Sequence, residues 1–247
     1  MTQILRIPIL RTCILTLVAI ALMVVIPLLS LRPSLSVEFT PPDRGTPEQV
    51  DAGGTRFADF ERPGERVVPV FMDGQELECP LSAILPPENY GLTRQAYPTI
   101  FYHTPPVEGI EVIFSLRDAQ ETLIYQTRYL TGPDHGTYGL PIPAYVNVPP
   151  LHPYQAYSWT VEIPDLEASV SGTIVRVNTT ASFDEAFATA SAEERLQLLA
   201  DAGLWYDMLD QLAQLHRENP DDPQWSRLWM QIAEDAELMK VGDKPLL

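Results

Sequence analysis

The feature that most limits how this chain can fold is a change of period. From about residue 66 to residue 178, apolar side chains recur at every second position; after Ser182 they recur at every third or fourth. Tyr157, Trp159, Val161 and Ile163 alternate with Ser158, Thr160 and Glu162, the mark of a strand with one buried face. Ile110, Val112, Phe114 and Leu116 repeat the pattern. Further strands are predicted at Val67–Met72, Pro98–His103, Thr122–Leu130, Gly136–Ile142 and Val170–Val177. Pro105-Pro106, Asp118 to Glu121, Gly132-Pro133-Asp134 and Pro149-Pro150 mark the turns between them.

About seven short strands at this spacing predict an antiparallel β-sandwich of the immunoglobulin or fibronectin kind over residues 66–180. A small helical domain of about three helices follows over 181–247, making the whole an α+β chain. Ser182 with Glu185, and Ser191 with Glu194, both have capping-box spacing, so the first helix starts twice or breaks near Ser191. Gly203 ends it. The central helix runs from Gly203 to Pro220, with Trp205, Met208, Leu209, Leu212 and Leu215 as its apolar stripe. Asp207, Asp210, Gln214 and Arg217 are expected on its wet face. Asp222 suits the N-cap and Pro223 the first position of the last helix, whose stripe includes Trp225 and Trp229. Trp159, Trp205, Trp225 and Trp229 are the expected structural anchors.

The chain ahead of the strands sets an address. Thr12 to Leu31 carry no charge and follow Arg6 and Arg11; twenty helical residues span roughly 30 Å, enough for a bilayer core. Residues 1–36 are therefore expected to be a signal peptide or a transmembrane anchor, with Ser34-Leu-Ser36 offering a cleavage point before Val37. Either way the bulk of the chain is exported: periplasmic, extracellular or membrane-anchored facing outward. Residues 37–65, punctuated by Pro41-Pro42, Gly53-Gly54 and Pro63-Gly64, are expected to be a linker. With the leader removed Cys79 stands alone, as a half-buried thiol or as half of a bridge to another chain.

Charge excludes one class of partner. From Val37 onward 13 basic residues face 33 acidic ones, a net of −20, and such a field repels phosphate backbones. Contact with a membrane is expected only through the N-terminal segment. No metal, cofactor or catalytic residue is assigned. His103, His135, His152 and His216 lack the spacing of a local zinc motif, and no serine or cysteine stands in a nucleophile motif. Nine of the ten tyrosines lie between Tyr90 and Tyr157. Tyr138, Tyr145 and Tyr154 sit among prolines and glycines, where exposed binding tyrosines belong, and with Asp207 they form the candidate ligand or partner surface.

Thr40-Pro-Pro-Asp-Arg-Gly45, Gly53-Gly-Thr-Arg56, Leu81-Ser-Ala-Ile84, Asn89-Tyr-Gly-Leu-Thr93 and Pro98-Thr-Ile-Phe-Tyr102 occur in order. Phe114-Ser-Leu, Ile124-Tyr, Tyr157-Ser-Trp159 and Ala202-Gly-Leu-Trp-Tyr-Asp207 follow. In this order they resemble the cyanobacterial domain of unknown function 928 family over nearly the whole exported chain. The resemblance implies export and architecture, and no mechanism. It also implies a second cysteine after the Tyr-x-Trp strand, where this chain has Glu162, Ile163 and Pro164.

The expected function is that of an exported, non-enzymatic envelope protein serving as a protein-interaction or scaffold module. A carbohydrate-binding module using the loop tyrosines is the alternative, and a carboxylate-dependent hydrolase the rival from another class.

Overall fold

The computed structural model describes residues 37–39, 66–86, 90–133, 136–144 and 147–238. The leader at 1–36, most of the linker, Tyr145 and His135 lie outside the described residues. Among the described residues no helix is long and apolar enough to cross a membrane, and the expectation of a membrane anchor is corrected accordingly. The described residues all fall in one compact unit.

The chain is a mixed α+β fold with a β-rich centre and a C-terminal helical region. One sheet has four strands in the order β1 (Val67–Val68), β4 (Leu81–Ala83), β6 (Thr99–His103), β9 (Thr137–Pro141). The other has five, in the order β5 (Tyr90–Thr93), β11 (Ala168–Arg176), β10 (Ala156–Ile163), β7 (Glu111–Arg117), β8 (Leu123–Leu130). A small hairpin joins β2 (Phe71–Met72) to β3 (Gln75–Glu76) around Asp73 and Gly74, both at positive φ. The alternation in β10 holds: Tyr157, Trp159, Val161 and Ile163 are buried, and Glu162 is exposed. Two differences from the sequence reading stand out. Between the named strands pairing is antiparallel except for β5, which runs parallel to β11 with Thr173 opposite Tyr90. The stretch expected as a single strand at Val67–Met72 is cut in two at Pro69, whose ring removes the backbone donor a continuous ladder needs.

Four helices follow: α1 (Ala181–Thr189), α2 (Ala192–Asp201), α3 (Trp205–Glu218) and α4 (Pro223–Asp235). The predicted break near Ser191 is where α2 begins, with Ser191 and Glu194 exchanging the two bonds of a capping box. Thr180, not Ser182, caps α1 by accepting from the Phe183 N–H. Gly203, at φ +67°, turns the chain from α2 into α3: Leu204 N donates to Leu199 O and Gly203 N to Ala200 O, which satisfies the last carbonyls of α2. Asp222 caps α4 and Pro223 fills its first turn, as the spacing predicts.

Helices and strands share one interior. Arg66 donates to Leu85 O and Pro86 O beside β4 and to Ala236 O after α4, and pairs with Glu237 at 3.4 Å. Val37 is buried, its carbonyl accepting from Gln231 Nε2, and the ring of Phe39 meets Trp205 edge-on at 4.8 Å. The first residues of the stretch expected as linker are thus packed against the helices.

Candidate functional site

The site is built where α3 lies on β5. The first turn of α3 presents Trp205, Tyr206 and Asp207 in succession, all buried. Such close approach needs a strand without a side chain at one point. A Cβ on Gly91 of β5 would stand 2.6 Å from the Tyr206 ring, so only glycine admits the helix there. Trp205 Nε1 donates to Ile84 O at 2.9 Å. Trp159 Nε1, in the middle of β10, donates to the Tyr206 hydroxyl at 2.8 Å, and that hydroxyl donates to Thr173 O of β11 at 3.3 Å. Burial holds the Tyr206 hydroxyl protonated well above its ordinary range. This chain of bonds satisfies both indole donors, each of which would cost about 1–3 kcal/mol if left unpaired in the core.

Asp207 departs from expectation. Instead of the wet face it occupies a site where its side chain is 3% exposed, because β5 and the loop after it cover that side of α3. Arg94 N donates to Oδ2 at 3.0 Å, and Arg94 Nε lies 3.3 Å from Oδ1. Burial pushes the Asp207 carboxyl above the usual carboxylate range, against the pull of the Thr93 hydroxyl, the Arg94 backbone and guanidinium, and Gln95. One turn further on, Asp210 accepts from Thr99 Oγ1 of β6 at 3.0 Å. The polar residues of α3 thus fasten it to two strands from different sheets.

Arg94 links this lock to the surface. Its guanidinium lies 4.1 Å from the ring centre of Phe187 and 5.9 Å from that of Phe183. Those rings stack on each other at 5.8 Å, one helical turn apart on α1. Arg195 of α2 also lies 5.4 Å from the Phe187 ring centre, while its Nε donates to Phe187 O. Stacking of cations on aromatic faces of this kind contributes about 0.5–1 kcal/mol per contact at exposed sites. No residue of α1 is buried, so two half-buried phenyl rings sit on the outside of the molecule, held in place by arginines. The i, i+4 spacing of Phe183 and Phe187 is visible in the sequence; nothing local to Arg94 announces its part.

The described tyrosine candidates, Tyr138 and Tyr154, have different settings. Tyr138, on β9, is half-buried and stacks on Tyr102 at 6.2 Å; the Tyr102 hydroxyl is hydrogen-bonded to that of Tyr129 on β8. Burial and the neighbouring Tyr138 raise the Tyr129 pKa. Tyr138 therefore belongs to a cluster joining the two sheets. Tyr154 is 57% exposed at φ +62°, in the turn before β10, and Tyr145 lies outside the described residues. Trp159, Trp205, Trp225 and Trp229 are all buried. Cys79 is buried at 2% exposure, more completely than the half-buried thiol expected. His103 is also buried, its Nδ1 3.5 Å from Thr137 Oγ1. Among the described residues no group of three His, Cys, Asp or Glu side chains is placed to hold a metal ion.

A β-rich centre closed by helices that enter it through buried tryptophan, tyrosine and aspartate defines the architectural class. The family described as Domain of Unknown Function (DUF928) matches residues 53–246, and the chain belongs to that family. The match does not extend to the narrower cyanobacterial expectation. No curated protein and no solved structure matches the chain.

Proposed function

We propose that this chain is an exported, non-enzymatic protein that works by binding another protein of the envelope, through α1. The observation that supports this reading is the Phe183–Phe187 pair. Both rings are half-buried against Arg94, and on a helix none of whose residues is buried their remaining surface faces solvent. Ordered apolar rings rimmed by arginine are what a protein partner covers, since aromatic residues and arginine are enriched at such interfaces. The buried carboxylate of Asp207 serves here as a positioning group, holding Arg94 beneath the rings.

A photo-cross-linking residue placed at the exposed Ala186 tests it. In intact envelopes we expect one discrete adduct, abolished by Phe183→Ser with Phe187→Ser while the melting temperature stays within a few degrees. An adduct of equal yield in the double variant, or no adduct in the parent, would reject α1 as the binding face. The glycan alternative keeps Tyr154 as its exposed candidate, with Tyr138 engaged by Tyr102.

A further inference from the structure

We propose that the outer edge of β8 pairs with β8 of a second copy, joining two five-stranded sheets across a two-fold axis at Thr127. This surface is separate from the α1 face, and the two readings fail independently.

An open strand edge is a row of unpaired backbone groups, and proteins ordinarily blunt it with short strands, proline, charge or a covering element. The other edges here are blunted. β1 has two residues, β9 contains Gly139 and Pro141, and β5 is overlaid by α3 at Gly91. β8 is left long and open: Leu-Ile-Tyr-Gln-Thr-Arg-Tyr-Leu, with no proline, glycine or lysine. On its outer side no strand pairs with it among the described residues. It also carries no acid, in a chain that has 33 of them. Its one charge, Arg128, is offset by Glu111 of β7 at 3.4 Å. Leu130 is 67% exposed and Leu123 45%, although both lie in a sheet whose central strands are buried.

The register follows from the ladder. Thr131 N donates to Ile110 O, and Glu111 stands opposite Leu130. By the alternation of an antiparallel ladder, Tyr125, Thr127 and Tyr129 turn their backbone groups toward β7, leaving those of Gln126, Arg128 and Leu130 for the open side. The irregularity at Leu116/Arg117 falls beyond Tyr125, so this part of the edge is regular. A two-fold axis normal to a sheet can relate the two strands only with a residue opposite its own copy or opposite one of the same face. Centred on Thr127, it sets Thr127 against Thr127, Tyr125 against Tyr129, Gln126 against Arg128 and Ile124 against Leu130. Every pair is chemically matched, and the tyrosines meet at the closer, non-hydrogen-bonded positions where cross-strand aromatic pairs gain most. Centred on Gln126, the axis would set Ile124 against Arg128 and Tyr125 against Thr127. The half-burial of Tyr125, Thr127 and Tyr129 fits the Thr127 arrangement, because a second strand would complete their cover.

The full-length chain carrying Thr127→Cys should form a disulfide-linked dimer on mild oxidation, and Gln126→Cys should not. Arg128→Pro removes an outward donor without touching the β7 ladder, so it should keep the circular dichroism spectrum and halve the sedimenting mass of the otherwise native chain. Equal mass for the native and Arg128→Pro chains overturns the proposal, as does a folded Thr127→Cys chain that stays monomeric. Linkage at Gln126→Cys in place of Thr127→Cys overturns the register. Should Thr127→Cys fail to fold, the mass comparison alone decides.

Discussion

Asp207 shows how one residue can reverse its expected role. On a helical wheel it falls opposite Trp205, Leu209 and Leu212, which is why the sequence puts it in water. The wheel assumes one covered face. α3 is covered on two, by α2 and α4 on one side and by β5 and β6 on the other, so its second face needs polar groups that match strand partners. The buried carboxyl has a consequence for pH. Its folded pKa is raised above the ordinary 3.8, so the folded state binds this proton more readily than the unfolded state does. The contribution is favourable below 3.8 and is lost as pH climbs through the raised value. The melting temperature of the native chain relative to Asp207→Asn should therefore rise as pH is lowered from neutrality toward 4. A difference that stays constant, or shrinks, would mean that Arg94 holds the carboxylate charged throughout. Trp205 was legible where Asp207 was not: a large apolar residue just after a helix-breaking glycine has few places to go but inward.

At the scale of elements, legibility followed length and alternation: β7, of seven residues and mostly buried, was readable, while shorter buried strands were not. β10 was readable because one of its faces meets less crowded surroundings and its sequence alternates. β4 is buried at all three residues and β5 at three of four, so neither carries a period and neither was anticipated. Likewise α1 and α2 read as one helix with a doubtful start, because Ser182 lies just inside α1 behind its true cap Thr180, Ser191 is a genuine cap, and only Ala190 and Ser191 separate the two helices. The same contacts that hide β4 and β5 make the helices dependent on them. Trp205 needs Ile84, Tyr206 needs Trp159 and Thr173, and Asp207 needs Arg94. Residues 182–247 produced alone should melt without cooperativity or self-associate, as followed by circular dichroism and light scattering. A sharp, concentration-independent transition of a monomer would show that the helices carry a sufficient core of their own.

For the whole molecule, net negative charge works against the compact state through self-repulsion. The chain carries a net of −20 beyond residue 36, and folding brings like charges on the described residues closer than an unfolded chain would. Raising ionic strength from about 0.01 to 0.15 M shortens the screening length from roughly 30 to 8 Å. The melting temperature should rise over that interval and then level off; a flat or falling profile in sodium chloride would show that the acids are arranged among compensating partners. The bond from Gln231 to Val37 spans 194 residues of sequence and that from Trp205 to Ile84 spans 121. Taken as a timetable, these separations mean that the earliest strands leave the ribosome long before the side chains that close over them exist. The chain must wait, unfinished, until its last helix is made. For a chain folding as it is made, the buried lock of Trp205, Tyr206 and Asp207 therefore closes late, after every strand it fastens has emerged.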